Sequence, residues 1–204
     1  PSLPASAAVK LARLIVGFPP GGSIDFVARL LADQLKPYAE TVVVENRGGA
    51  GGRIALEALR SASPDGTVMA LTPGDQLSLF PHIYKNLSYD AKRDFAPVSQ
   101  FVVLPNMLVG HPSLQPKNVK ELIALARARP GQLQYASPGA GTVQHLAAEF
   151  FKLQAKLEIL HVPYKGSGQS IVDLVAGQVH MNFDSVPPVI NHVKSGKLRA
   201  LAVT

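Results

Sequence analysis

Residues 14–26, LIVGFPPGGSIDF, decide the fold of this chain. The apolar start predicts a buried strand, and the two prolines and two glycines predict a turn before a helix. Gly21 and Gly22 can adopt backbone conformations closed to other residues, and Ser23 is a residue type that suits a helix N-cap. A strand that enters a helix through such a turn is typical of the βα units of parallel sheets.

The remaining sequence repeats this alternation of apolar runs and segments with helical spacing. The apolar side chains after the first turn fall on one predicted helical face, which Pro37 ends: Phe26, Val27, Leu30, Leu31 and Leu35. Further strands are predicted at 41–45, 67–71, 133–136, 159–162, 179–183 and 198–203. The fold class is therefore α/β, with mostly parallel sheets flanked by helices.

The rhythm changes after Pro97, where two apolar runs, 98–104 and 107–109, follow each other closely. We interpret this change as the crossover between two lobes. Lobe 1 is predicted at 1–97 and lobe 2 at 98–204, with crossover strands near 98–104 and 198–204.

Composition excludes several classes of protein. The 204 residues are 47% apolar, and no apolar run is long enough to span a bilayer. The net charge of +6 comes from 20 basic and 14 acidic residues without a basic run, so it favours weak attraction of anions over nucleic-acid binding. The absence of cysteine rules out disulfides and thiolate metal sites. Residues 1–10 lack the features of a signal peptide and would fit the remnant that follows cleavage.

The first turn has the chemistry of an anion site, because backbone N–H groups and the positive end of a helix point the same way. A tight βα connection with an ordinary cap is the alternative interpretation. Asp25, in the first helical turn, would either stabilise the helix or hold an ammonium or amide group of a ligand.

A second turn, SPGAGT at 137–142, repeats this chemistry, with Thr142 as the candidate N-cap. Two such turns favour a binding cleft, since ligands of open α/β folds lie beyond the carboxyl ends of the strands. His145 has no second ligand at metal spacing and is interpreted as a hydrogen-bonding support. The loop NRGGAGGR at 46–53 matches no phosphate-binding motif and is interpreted as a close packing turn.

Two further positions remain open between a site and a structural role. Tyr164 and Lys165 begin a turn at the predicted cleft, with Ser167 as a candidate helix cap. Asp184 ends a strand and would either face the cleft or cap the next turn. The sequence carries no GxSxG, HExxH or paired-carboxylate motif, so we predict no catalytic residue, metal or cofactor.

Several segments together resemble the extracytoplasmic receptors of tripartite tricarboxylate transporters, the Bug family. The resemblance runs from about residue 11 to residue 204 and rests on these segments, in this order: LARLIVGFPPGGSIDFVARLLADQL, VVVENRGGAGG, SPDGTVMALT, YDAKRDFAPVSQ, YASPGAGTVQHLAAEFF, HVPYKGSGQSIVDLVAGQV and KLRALAVT.

The resemblance implies a periplasmic solute-binding protein of the two-lobed, type II class that closes on a small carboxylated solute and delivers it to membrane permease subunits. The implied ligand-binding positions are Gly21, Gly22, Ser23 and Asp25 in lobe 1, and Ser137, Gly139, Gly141, Thr142 and His145 in lobe 2. Thr72, Gly74 and Asp75 would add to the pocket wall. Members of the family are longer, so the first lobe is expected to be incomplete in this chain.

Asp75 bears on the identity of the solute. A negative charge near the cleft would disfavour a second ligand carboxylate, so an amide, an amino acid or a monocarboxylate is expected in preference to citrate. Two other functions stay open: an α/β hydrolase or transferase that uses the glycine turns as an anion or oxyanion site, and a ligand sensor for a signalling receptor.

Overall fold

The computed structural model describes residues 9–204. The predicted processing remnant at 1–10 therefore lies almost entirely outside the described residues. The chain divides into two compact units, unit 1 at Pro1–Ala96 and unit 2 at Pro97–Thr204.

Unit 1 contains a parallel sheet with helices between its strands. Its elements are β1 Val9–Val16, α1 Ser23–Gln34, β2 Ala39–Asn46, a short 3₁₀ helix Ala50–Gly52, α2 Arg53–Arg60, β3 Val68–Leu71, α3 Asp75–Ser78 and α4 Phe80–Ile83. The strand order is β2-β1-β3, and both pairings are parallel. The central strand supplies Leu14 and Val16 to a core that α1 covers with Ala28.

The buried face of α1 differs from the prediction. Val27 is buried as expected, but Phe26 is 55% exposed and Leu30 is 51% exposed. The predicted apolar stripe covered half of the helix circumference. In the structure, the small side chains of Ala28 and Ala32 are buried and lie on the side of the helix that faces the sheet. Small residues allow the helix to approach the strands closely, a preference that hydrophobic spacing does not reveal.

Unit 2 contains a mixed five-stranded sheet. Its elements are β4 Asn106–Gly110, α5 Val119–Ala128, β5 Gln134–Ser137, α6 Val143–Ala155, β6 Leu160–Pro163, α7 Ser167–Val175, β7 Met181–Ser185, α8 Val186–Lys194 and β8 Arg199–Val203. In the strand order β6-β5-β7-β4-β8, the first three strands are parallel, and β4 is antiparallel to both of its neighbours. Separate cores lie on either side of this sheet, one including Leu122 and Tyr135 and the other Leu174 and Val189.

The segment 98–104 differs from the prediction, because it contains no strand, and β4 begins at Asn106. Its valines are largely outside the core, with Val98 91% exposed and Val103 76% exposed. An apolar run forms a strand only where a neighbouring strand is available for pairing. The other predicted crossover segment contains β8, which pairs with β4. Within residues 9–204, no helix combines the length and apolar character needed to cross a bilayer.

Candidate functional site

The first candidate site lies at the carboxyl edge of the unit 1 sheet. Val16 at the end of β1 is paired with Asn46 of β2 and Leu71 of β3. The three parallel strands therefore end together, and the segments that follow them start from one edge. Thr72, Gly74 and Asp75 follow β3 at this edge, beside the turn that follows β1.

Asp25 organises the turn at residues 19–25. Its Oδ2 accepts hydrogen bonds from Gly21 N at 3.1 Å and Arg29 Nε at 3.1 Å. Its Oδ1 accepts from Arg29 Nη2 at 2.9 Å and Asn46 Nδ2 at 2.9 Å. Asn46 Nδ2 also donates to Phe18 O at 2.9 Å, which fixes the start of the turn.

The charge of Asp25 is stabilised where it lies. Burial raises the pKa of this carboxyl group, but the donors of Arg29, Asn46 and Gly21 outweigh that effect and hold the pKa below its usual range. Asp25 is therefore ionised at neutral pH, and both carboxylate oxygens are already engaged by protein donors. This favours the interpretation of Asp25 as a residue that shapes the turn and the helix start.

The predicted N-cap at Ser23 is wrong. Gly22 is the N-cap of α1, with extended backbone angles of φ −87° and ψ 172°, and it makes no side-chain cap hydrogen bond. Ser23 is the first helical residue and is buried. Asp25, the third helical residue, reaches back to the N–H of Gly21, much as the third residue of a capping box does.

Gln76 joins the segment after β3 to the glycine loop at 46–53, and the sequence did not single it out as a site residue. It is 1% exposed, its Nε2 donates to Gly51 O at 2.9 Å, and its Oε1 accepts from Thr72 Oγ1. Its backbone O accepts from Tyr89 Oη at 2.6 Å. Asp75, at 5% exposure, lies beside it in the first turn of α3.

The loop at 46–53 is a close packing turn, as predicted. A Cβ added to Gly48 would lie 2.8 Å from Pro19 Cδ, so this loop contacts the first turn directly.

The second candidate site lies at the carboxyl edge of the parallel part of the unit 2 sheet. Ser137 at the end of β5 is paired with Pro163 at the end of β6. Tyr164 N also donates to Ser137 O at 2.9 Å. The SPGAGT turn and the segment that begins at Tyr164 therefore start from adjacent strand ends.

Thr142 caps α6, as predicted. Its side-chain oxygen accepts from His145 N at 3.4 Å, and Oγ1 donates to Gly139 O at 2.7 Å. The backbone of Gly141 has a φ of +83°, and Gly141 N donates to His145 Nδ1 at 3.2 Å. His145 therefore supports the turn through a hydrogen bond.

The two turns are built on the same hydrogen bond. In each, a glycine with positive φ, Gly21 at +92° or Gly141 at +83°, donates its N–H to the side chain four residues later. The acceptor is the carboxylate of Asp25 in unit 1 and the imidazole of His145 in unit 2. Each side chain holds the glycine that gives its turn its shape.

His161 is a residue of this region that sequence reasoning missed. Its Nε2 lies 2.7 Å from Ser137 Oγ, which also accepts from Gly139 N at 3.3 Å and donates to Gly139 O at 3.2 Å. Ser137 is 0% exposed, so its hydroxyl holds the turn from within. His161 lies close to the turn because it is paired with Tyr135, which only the folded sheet shows.

Tyr164 and Asp184 are both held by α7. Tyr164 Oη donates to Asp173 Oδ2 at 2.7 Å, and burial together with that hydrogen bond raises the pKa of Tyr164 to about 12. The predicted cap at Ser167 is wrong, because Gly166 is the N-cap of α7, and Ser167 Oγ instead donates to Asp184 Oδ1 at 3.0 Å.

Asp184 is fully buried, and its environment is neutral. It accepts from Asn182 Nδ2 at 3.1 Å and from Ser185 N at 2.9 Å, directly before α8. Burial raises its pKa to about 6, and the hydrogen bonds from Ser167, Ser185 and Asn182 oppose the shift only in part. Asp184 therefore bonds to the N–H of Ser185, the N-cap residue of α8, and no side chain of the described residues caps that helix.

Within the part of the chain that the structure describes, no group of three or more His, Cys, Asp or Glu side chains is arranged to hold a metal ion.

Residues 27–204 match the family described as the tripartite tricarboxylate transporter family receptor. The protein BugT of Bordetella pertussis is 40% identical over 197 residues, which are 94% of this chain and 59% of BugT. The chain thus spans less than two thirds of the length of this curated relative.

Two solved structures have similar folds. A protein of R. palustris, determined with adipate, superposes with a TM-score of 0.92 at 35% identity, over 98% of this chain and 67% of that one. MatC of Rhodopseudomonas palustris, determined with bound malate, superposes with a TM-score of 0.85 at 28% identity, over 96% of this chain and 67% of that one.

Proposed function

This chain belongs to the family of tripartite tricarboxylate transporter receptors, and from that membership we propose that it is a solute receptor that binds a small carboxylate-bearing molecule through its two glycine turns. The observation that carries the proposal is the shared construction of the turns. Each follows a parallel strand, opens a helix of at least twelve residues and is held by a side chain four residues beyond its glycine.

A turn of this kind suits a carboxylate. The first N–H groups of a helix have no partners within the helix, and the helix dipole adds positive potential at the same place. Asp25 and His145 accept hydrogen bonds from the N–H groups of Gly21 and Gly141, so these two donors hold the turns in shape rather than bind a solute. The carboxylate would displace water from donors that are already oriented, which limits the entropic cost of binding.

The proposed solute class is that of small organic acids, with amino acids and amides as alternatives. Adipate and malate, which accompany the two similar structures, are dicarboxylates. The charge of Asp75 argues for one carboxylate rather than two in this chain. Asp75 is 5% exposed, so its charge lies beneath the surface of the segment after β3. Its repulsion of a solute carboxylate would weaken as the distance between the two groups grows.

A thermal-shift screen of the purified chain tests the proposal. The compounds would be adipate, malate, citrate, benzoate and several amino acids, each paired with its neutral amide where one exists. A ligand that binds only the folded state raises the melting temperature, by an amount that grows with the logarithm of its concentration relative to its Kd. We expect a shift from at least one acid and a smaller one from its amide, because backbone donors favour the charged oxygen.

Two variants make this test specific to the turns. Asp25→Ala should reduce the shift, since Gly21 loses its anchor. Asp33→Ala, a matched change on the same helix at an exposed ion pair with Lys36, should preserve it. A cooperative melt that no acid shifts, or equal shifts for both variants, would count against the proposal.

A hydrolase remains a second candidate because of one specific contact, the 2.7 Å approach of Ser137 Oγ to His161 Nε2. That distance would suit a nucleophile and its base. The hydroxyl is fully buried, however, and it bonds to both backbone groups of Gly139. A fluorophosphonate probe tests this alternative: labelling of the chain that Ser137→Ala abolishes would favour the enzyme, and we expect no labelling.

We further propose that the receptor acts in the periplasm and presents its bound form to permease subunits in the membrane. Ligand-dependent presentation requires that the solute binds one conformation more tightly than another. Pull-down of permease subunits by the solute-loaded chain, but not by the solute-free chain, would support transport. Capture of a receptor kinase instead would favour the sensor function.

A further inference from the structure

Two histidines contact the SPGAGT turn. His145 lies one turn inside α6, and His161 lies on β6. Their rings face each other with centroids 4.3 Å apart and planes inclined by 34°, and the ring of Tyr135 stacks against His161 at 4.8 Å. The three rings form a column beneath the turn.

Each imidazole holds a different part of the turn. His145 Nδ1 accepts the N–H of Gly141, and His161 Nε2 bonds to the hydroxyl of Ser137, which engages both backbone groups of Gly139. The two glycines have φ values of +153° and +83°, which other residue types rarely adopt, and these contacts select those conformations among the many open to glycine. The histidine column therefore helps to fix the backbone of the turn.

The contacts of His145 require a neutral ring. Nδ1 can accept the Gly141 N–H only as a bare nitrogen, so the tautomer is the one protonated at Nε2. A proton on Nδ1 would place two donors against each other. If both rings were protonated, two like charges would lie only 4.3 Å apart.

The charged groups that face the rings come from α6. Glu149 Oε1 accepts from Tyr135 Oη at 2.5 Å and from Lys152 Nζ at 2.6 Å, so its charge is shared with two donors. Burial lowers the pKa of His145, with Glu149 opposing the shift and Lys152 adding to it. Burial, followed by the charge on His145, lowers the pKa of His161 to about 4.

We propose that His145 and His161 are positioning residues of the solute-binding turn, and that His145 holds Gly141 in place only while its ring is neutral. The link to solute binding rests on the proposed function; the positioning of the turn does not. Acidification would release Gly141 by protonating His145 at Nδ1. The equivalent hydrogen bond in unit 1 has a carboxylate acceptor, Asp25, that stays ionised over the same interval.

The test is an NMR titration of the solute-free protein from about pH 7.5 to about pH 4.5, across the usual histidine range. Ring ¹⁵N shifts report the tautomer and charge of each histidine. Hydrogen-exchange protection of the Gly141 amide, corrected for intrinsic pH dependence, reports the turn. We expect the Nε2–H tautomer at His145 at neutral pH, and a fall of at least tenfold in Gly141 protection as that ring becomes charged.

Variants separate positioning from general packing. His145→Asn keeps an acceptor near Nδ1 and should retain most of the Gly141 protection at both ends of the titration, whereas His145→Ala should lose at least tenfold at neutral pH. His180→Asn is the matched control, because His180 Nδ1 also accepts a backbone N–H, that of Gln134 at 3.0 Å, at the opposite end of β5. It should leave Gly141 unchanged.

A charged His145 at neutral pH, or protection of Gly141 that does not follow the His145 titration, would overturn the proposal. If His145→Ala fails to fold, the wild-type titration and His145→Asn still decide it. Because no solute is present, a failed ligand screen would refute the proposed function and leave this result standing.

Discussion

At the scale of single residues, Asp25 connects three segments that are distant in sequence. It ties Gly21 to α1, and through Asn46 it ties both to the end of β2. Removing it leaves the N–H of the exposed Gly21 and the amide of the half-buried Asn46 without this acceptor. An unsatisfied buried donor costs more free energy than the hydrogen bond itself contributes.

We therefore expect Asp25→Ala to lower the free energy of unfolding by roughly 2 kcal/mol, the scale of hydrogen bonds to a charged group. Urea denaturation measures this change. Asp33→Ala on the same helix is the control, because its ion pair with Lys36 is exposed and contributes less than about 1 kcal/mol. Equal destabilisation by the two variants would show that Asp25 acts only as a generic charge at a helix start.

Asp184 gives a second prediction, in which the sign of the pH dependence is the test. Its pKa is raised from 3.8 to about 6, so the folded state binds more protons than the unfolded state between those values. The charged carboxyl group therefore destabilises the folded state increasingly as pH rises through this window. Asn at this position is neutral at every pH and avoids that cost.

We expect Asp184→Asn to match wild type below about pH 4 and to exceed its free energy of unfolding by roughly 3 kcal/mol near pH 7. The new amide can be accommodated because Asn182 Oδ1, buried and without a hydrogen-bond partner in the described structure, can accept from it once the Asn182 amide rotates. Urea unfolding of both proteins across this pH range measures the difference. A variant that is less stable at all pH values would contradict the prediction.

At the scale of elements, the sequence predicted most strands and helices correctly because hydrophobic period and turn residues act locally. Thr142 was identified as a cap for the same reason: its contacts lie within four residues. The errors came where distant groups intervene. Ser23 is not a cap, because Asp25 reaches the turn, and residues 98–104 form no strand despite being apolar.

The residues that the sequence did not reveal are joined across long separations. His161 meets Ser137 from 24 residues away, and Gln76 meets Gly51 from 25 residues away. Such contacts depend on which strands become neighbours, and the chain order alone does not give that. Glycine positions were informative because close approach leaves a direct trace in residue type.

Gly17, at the junction between β1 and α2, tests the inference that a glycine marks a close approach of two backbone segments. A Cβ at this position would lie 2.7 Å from Gly52 Cα and 2.9 Å from Gly52 O, and backbone atoms cannot rotate away. We expect Gly17→Ala to lower the free energy of unfolding by about 1 to 3 kcal/mol, the range for overpacking.

Gly74→Ala is the matched control for this change. Nothing lies within 4 Å of the added Cβ, and its φ of −63° suits any residue. It should leave stability unchanged or raise it by less than about 1 kcal/mol. Thermal unfolding compares the two, and tolerance of alanine at Gly17 would mean that β1 and the 3₁₀ helix can separate at little cost.

At the scale of the whole molecule, the two units differ in charge. Unit 1 carries ten Lys and Arg against nine Asp and Glu, whereas unit 2 carries ten against five. Nearly all of the net positive charge therefore belongs to unit 2. A field of this sign raises the encounter rate of an anion without contributing much to its final affinity.

The effect of this charge distribution on the association rate can be measured by varying the ionic strength. Stopped-flow association of the acid with the largest melting shift should slow several-fold as salt rises from about 0.01 M to about 1 M, because the Debye length falls from about 30 Å to about 3 Å. Its neutral amide should show no such dependence. Lys165→Gln, which removes an exposed positive charge from the turn before α7, should reduce the rate at low salt more than Lys85→Gln in unit 1. The two substitutions remove the same charge and differ only in its position. If both slow association equally, the rate depends on the total charge of the protein and not on the positive charge of unit 2.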